Sequence, residues 1–252
     1  FLAAEKGDLL IFGEVAGEHL HLRFVPLLAP EEDAPDALSA GVSLVVPAEL
    51  DQDAAVLIRA IGFAVVAPVQ PLKAATARAA LATNIQFAVL AMDALKRGLA
   101  GRDKGFSLLV FASAAARAGY AQTSAPLLQK AIDCYRAAAE ALARDKDGYE
   151  WATAERLLGS ELLALSERGD DKTALAAALV ALQTAAQALP RETAPRDWAA
   201  VQHRLGIAFL RLHEESASVE PLKQALTAFQ TALHVFTRAE HPQRWADIMN
   251  SV

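Results

Sequence analysis

A mainly α protein is predicted: an α-solenoid of antiparallel helix pairs, preceded by a small N-terminal β-hairpin or α+β segment. Three observations carry this. Trp151, Trp198 and Trp245 are each followed by alanine and stand 47 residues apart, and Leu158-Gly159 and Leu205-Gly206 keep the same interval. Equal spacing of unrelated residue types marks a repeated structural unit. Apolar residues also recur at i, i+3, i+4 and i+7 in each copy, the buried stripe of an α-helix. Finally, the chain is 54% hydrophobic and 21% charged with alanine in excess, which suits close helix packing.

Residues 1–49 form a small acidic β-containing segment. Residues 8–15 and 19–25 flank Ala16-Gly17-Glu18, a hairpin pattern with glycine in the turn. The second run alternates, with Leu20, Leu22 and Phe24 on one face and His19, His21 and Arg23 on the other. Ser43 to Val46 adds a third strand, and so small a sheet needs its apolar face covered, by the first helices or by upstream sequence. Residues 1–55 hold eleven acids against Lys6 and Arg23, a net −9 in a chain of net −6, so the remainder is +3. The run Glu31-Glu32-Asp33-Ala34-Pro35-Asp36 lacks the spaced oxygens and glycine of a calcium loop and reads as a solvated loop.

Residues 50–103 read as a helical pair. Ala54–Val69 is apolar but holds Arg59, Gly62 and Pro68 and is too short to cross a membrane, so it reads as a buried helix. Residues 50–67 form a degenerate first helix, Pro68 and Pro71 break it, and Leu81, Ile85, Ala88, Ala91 and Leu95 supply the second stripe. Such an atypical copy caps a stack.

Residues 104–252 hold the repeats proper: 104–150, 151–197, 198–244 and a truncated 245–252. The second-helix stripe runs Leu128, Ala131, Ile132, Tyr135, Ala138, Leu142, then Leu175, Ala178, Leu179, Leu182, Ala185, Leu189, then Leu222, Ala225, Leu226, Phe229, Ala232, Phe236. First helices are expected near 150–166 and 197–213, with Pro195 and Pro242 at their starts and Asp197 as a candidate N-cap. Lys104 replaces tryptophan in the earliest of these copies, which keeps Phe111-Ala112 where the others have Leu-Gly. The chain begins with phenylalanine and stops seven residues after Trp245, which reads as a fragment of a longer protein.

Leu205-Gly206 followed by Ala225-x-x-x-Phe229 and Ala232 resembles the tetratricopeptide repeat over residues 104–252. The usual unit of that family is near 34 residues; here the Pro-x-x-Trp-Ala start and a longer inter-helix loop extend it. The resemblance implies tandem arrays of the kind found in large bacterial proteins, fused to signalling or effector modules such as TIR or caspase-like domains. It also implies a concave groove lined by first helices, with Arg156 and His203 facing it and Thr153, Ser160 and Arg211 on the same face. These five are the candidate partner-binding residues, weighed against an ordinary solvated helix surface.

Little else points to chemistry. His19 and His21 share a strand face but lack a third ligand nearby, so no metal and no cofactor is expected. Cys134 aligns with Ala181 and Ala228 and reads as a small buried residue; His234 aligns with Gln187 and Glu140 and reads as exposed. The tryptophans read as repeat packing, because a binding anchor need not recur in every copy. Neither a glycine-rich phosphate loop, a Gly-x-Ser-x-Gly elbow nor a His-Glu-x-x-His helix occurs. Net charge −6 and pI 5.5 disfavour nucleic acid. One cysteine and the lack of a secretory signal at the start fit a cytoplasmic protein without disulfides. The expected function is a non-catalytic scaffold that binds protein or peptide or associates with itself, not an enzyme and not a membrane protein. The alternative is the sensing or regulatory region of a bacterial effector enzyme whose catalytic domain lies outside this chain.

Overall fold

The structure, a computed structural model, describes residues 8–26, 42–66, 71–145, 148–169, 172–189 and 191–252. The acidic run 31–36, Pro68 and the 170–171 part of one inter-helix linker lie outside them. Among the described residues three strands precede nine helices: β1 (Leu9–Ala16), β2 (His19–Pro26), β3 (Val42–Pro47), α1 (Gln52–Val65), α2 (Pro71–Leu95), α3 (Gly101–Gln122), α4 (Ala125–Asp145), α5 (Gly148–Gly169), α6 (Lys172–Ala188), α7 (Pro195–Ser216), α8 (Val219–Leu233) and α9 (Pro242–Ser251). No helix among the described residues is long and apolar enough to cross a membrane. The chain divides into two compact units, residues 1–146 and 147–252.

In the first unit β1 and β2 form the expected hairpin, in register from Leu9↔Pro26 to Ala16↔His19. Gly17 turns it with φ of 62°, a left-handed conformation that glycine adopts without steric cost. β3 joins antiparallel on the other side of β2, giving the order β1-β2-β3. Leu22 and Phe24 are buried while Arg23 between them is exposed. The apolar face finds its cover inside the unit: α1 contacts β2 and β3, and α3 packs on β3. Val45 donates its backbone N–H to the buried Ser107 hydroxyl of α3 at 3.0 Å, so a helix side chain meets the backbone of β3 at this residue.

Helices α1 and α2 pack as a pair, and α3 and α4 as a second. Asp51 caps α1, accepting the Ala54 N–H at 2.7 Å. Leu81, Ile85, Ala88 and Ala91 of α2 are buried as their spacing predicts, while Leu95 on the same stripe is half-buried. Arg117 of α3 donates to the Ala64 carbonyl at 2.7 Å, tying α3 to the end of α1. Lys130 of α4 reaches both carboxylate oxygens of Asp93 in α2, at 2.7 and 2.6 Å, and Lys96 joins them. Those two ammonium groups hold the Asp93 carboxyl below its ordinary range against the opposing effect of partial burial.

In the second unit α5 packs on α6, α6 on α7, α7 on α8 and α8 on α9. The first helices are longer than expected: α5 and α7 each span 22 residues. Pro195 occupies the start of α7, where its fixed φ is already helical and its missing N–H costs nothing. The helix therefore begins before Asp197, and Ala194, not Asp197, stands at the N-cap position. Asp197 instead accepts a hydrogen bond from the Tyr149 hydroxyl of α5 at 2.9 Å.

The Leu-Gly position is a helix crossing. A Cβ built at Gly159 would lie 2.7 Å from Leu182 Cγ of α6, and one built at Gly206 would run into the Phe229 ring of α8. Leu182 and Phe229 are themselves 47 residues apart, so the same contact recurs with a larger partner. In the α3–α4 pair Ala112 and Tyr135 hold these positions, both buried, and Tyr135 is hydrogen-bonded at 2.8 Å to Ser113.

The second-helix stripe is buried throughout α4, and in α6 apart from the half-buried Leu179. In α8 it fails at two places: Leu222 is 41% and Leu226 45% exposed, whereas Leu175, the counterpart of Leu222, is 1% exposed. Periodicity predicted burial for all three.

Candidate functional site

The five candidate residues lie on α5 and α7. Their helical spacing is as expected, but their surroundings differ from an open groove. Thr153, Arg156, Ser160 and His203 are all buried. Thr153 donates its hydroxyl to the Tyr149 carbonyl and Ser160 to the Arg156 carbonyl, each at 2.9 Å and each one turn back along α5. Such back-bonding spends the donor on its own helix and leaves it little to offer a partner. Arg211, with 29% of its side chain exposed, donates to Glu214 at 2.8 Å within α7. As the chain stands, a partner's atoms reach Arg211 before any of the other four.

His203 is the most unusual of the set. It is 6% exposed, and its ring lies 6.0 Å from that of Phe229, inclined at 55°. Its Nε2 is buried without a hydrogen-bond partner among the described residues. Burial, with the nearby Arg204 and Arg244 guanidinium groups adding to it, pushes its pKa down to about 3. The imidazole is therefore neutral at ordinary pH, because protonation would place an unhydrated cation among cations. Its register counterparts bear on this: Leu109 sits at the same position in α3, also buried. The position accepts an apolar side chain, and His203 fills it in neutral form.

The tryptophans are half-buried, not enclosed. The Arg191 guanidinium lies 4.8 Å from the Trp198 ring centroid, and Arg238 lies 5.3 Å from that of Trp245. Arg191 and Arg238 are 47 residues apart and each precedes its tryptophan by seven. The pattern was open to view in the sequence, since Arg144 holds the same place before Trp151. At Trp198 and Trp245 a cation lies over an aromatic face.

The remaining chemical candidates resolve simply. Cys134 is buried in α4, and its thiol is pushed up to about 11 by burial, which removes the thiolate needed of a nucleophile. His21 Nδ1 lies 3.9 Å from an Asp103 oxygen. Among the described residues no group of three or more His, Cys, Asp or Glu side chains is placed to hold a metal ion. His234 is exposed.

What recurs at 47-residue steps is the glycine crossing, the small-residue stripe and, at Trp198 and Trp245, an arginine over the ring. Other positions change in chemistry: Arg156 becomes His203, and Ser160 becomes Ile207. No protein-family model, curated protein or solved structure matches the chain.

Proposed function

We propose that this chain is a non-catalytic scaffold, a tetratricopeptide-like α-solenoid whose helix pairs present a surface for a protein or peptide, or for another copy of itself. One observation carries the reading. The contacts that repeat at 47-residue steps, Gly159 on Leu182 and Gly206 on Phe229, are packing contacts between successive helices. Contacts of this kind suit a repeat array, in which stability is summed over neighbours and stacked helix pairs leave an extended surface for recognition. Among the five candidate residues Arg211 leads, because its guanidinium is the one a partner can reach directly.

The test is a peptide array together with light scattering over a concentration series. Sequence-selective peptide capture that Arg211→Glu weakens at least tenfold, or a reversible dimer that the same change disrupts, supports the reading. A protein that stays monomeric at every concentration and selects no peptide overturns it.

A further inference from the structure

The two edges of the small sheet differ. At β3, α3 packs against the strand, and the Ser107 hydroxyl meets both the N–H and the carbonyl of Val45, at 3.0 and 3.4 Å. At β1 the sheet order ends, and among the described residues no strand pairs with its outer side. A row of strand N–H and C=O groups without a neighbour is a template for another extended chain. Proteins blunt such edges with lysine, proline, a bulge or a charge aimed at the covered face. Over Leu9–Ala16 there is neither lysine nor proline, and the one charge, Glu14, stands on the face opposite to Ile11 and Val15.

Ile11 and Val15 share a face with the sheet's buried residues, because Ile11 pairs with Phe24, Gly13 with Leu22 and Val15 with Leu20. Helices α1 and α3 cover that face over β2 and β3, where Leu22, Phe24 and Leu44 are buried. Their cover stops short of the edge: Ile11 is 41% and Val15 67% exposed.

We propose that β1 pairs antiparallel with β1 of a second copy of this chain, about a two-fold axis at Gly13. An axis perpendicular to the sheet keeps the covered faces of both copies on one side. In that register Ile11 lies opposite Val15 of the second copy, and Val15 opposite its Ile11, so the exposed apolar residues cover each other. Moving the axis to Phe12 sets Ile11 against a glycine. Moving it to Glu14 sets two carboxylates directly opposite, which is unfavourable. The occupant is the same chain because this edge is complementary to itself in a register that also separates its one charge. With α3 against β3, pairing through β1 closes at two copies and does not propagate into a fibre. The strand belongs to the first unit, so the dimer stands whether or not Arg211 binds a peptide.

Light scattering of the intact chain over a concentration series should show a reversible dimer. One strand from each copy is a small interface, so the dimer should dissociate on dilution through the micromolar range. Ile11→Lys combined with Val15→Lys should raise the dissociation constant at least tenfold, while Leu90→Lys, at a similarly exposed apolar position on α2, should leave it unchanged. Both strand residues are solvent-accessible, so the double variant should keep its melting temperature within a few degrees. A second measurement does not depend on that variant. Ile11→Cys combined with Val15→Cys should be trapped as a covalent dimer under mild oxidation, and Leu90→Cys should not. Four residues apart on one strand, the two cysteines are roughly 13 Å from each other and cannot bridge within one chain. A chain that stays monomeric at every concentration overturns the proposal, and if it still captures a peptide the proposed function survives without it. A dimer that the lysine pair leaves intact and the cysteine pair does not trap overturns it as well.

Discussion

Gly206 of α7 and Phe229 of α8 meet so closely that no Cβ fits between the glycine and the aromatic ring. The pair fixes how near the two helices lie, and Gly159 with Leu182 fixes the α5–α6 pair in the same way. Glycine is a poor helix former, so its place in the middle of α7 is explained by the crossing and not by local preference.

Gly206→Ala should therefore destabilise the protein, although alanine favours the helix by about 1 kcal/mol. Forcing a methyl against a rigid ring costs about 1–3 kcal/mol, so the urea midpoint should fall. Gly148→Ala, at a helix start where nothing lies within 4 Å, should not lower it.

The arginine–tryptophan pair invites a double-mutant cycle. Trp198→Ala should cost about 2 kcal/mol, less than the roughly 3–5 kcal/mol of a fully buried aromatic, because the ring is half-buried. Arg191→Ala should cost about 0.5–1 kcal/mol at this exposed position. The two losses should be less than additive by about the stacking energy, read from chemical denaturation of the four proteins.

His203 gives stability a pH dependence of definite sign. Its folded pKa, about 3, lies below its ordinary 6.5, so between these values the unfolded chain binds the extra proton. The stabilising contribution is present above pH 6.5 and drains away as pH falls towards 3. His203→Leu puts at this position the residue found at Leu109. The variant should remain folded, and its stability relative to the parent should rise steadily on acidification through that window. Denaturation midpoints of both proteins at a series of pH values measure the difference.

Cys134 should resist modification while the protein is folded. A thiol pKa raised from 9.0 to about 11 leaves about a hundredfold less thiolate at pH 8, and burial blocks approach as well. A thiol-reactive dye should label it slowly in buffer and quickly in denaturant; equal rates would show that α4 opens readily.

The residues that packing dictates were legible from the sequence. The hairpin around Gly17, the glycine crossings and the stripes of α2 and α4 follow from local periodicity and from the 47-residue spacing. What escaped depends on neighbours that register does not describe. Leu222 and Leu226 fit the stripe, yet they stand 41% and 45% exposed. His203 aligns with both Arg156 and Leu109, so register leaves its chemistry open, and its surroundings come from Phe229 on α8 and Arg244 on α9. Asp197 looked like a cap until Pro195 started the helix before it. The arginines seven residues before each tryptophan were visible throughout, and for Arg191 and Arg238 the ring contacts gave them a meaning.

The central claim is that 47 residues make one structural unit whose contacts are interchangeable between copies. Deleting residues 151–197 joins Glu150 directly to Trp198 in register, whereas deleting 151–193 removes four residues fewer and breaks it. Thermal unfolding followed by circular dichroism should show a cooperative helical transition for the in-register deletion and a broad or absent one for the other. Equal loss of cooperativity in both would contradict the repeat.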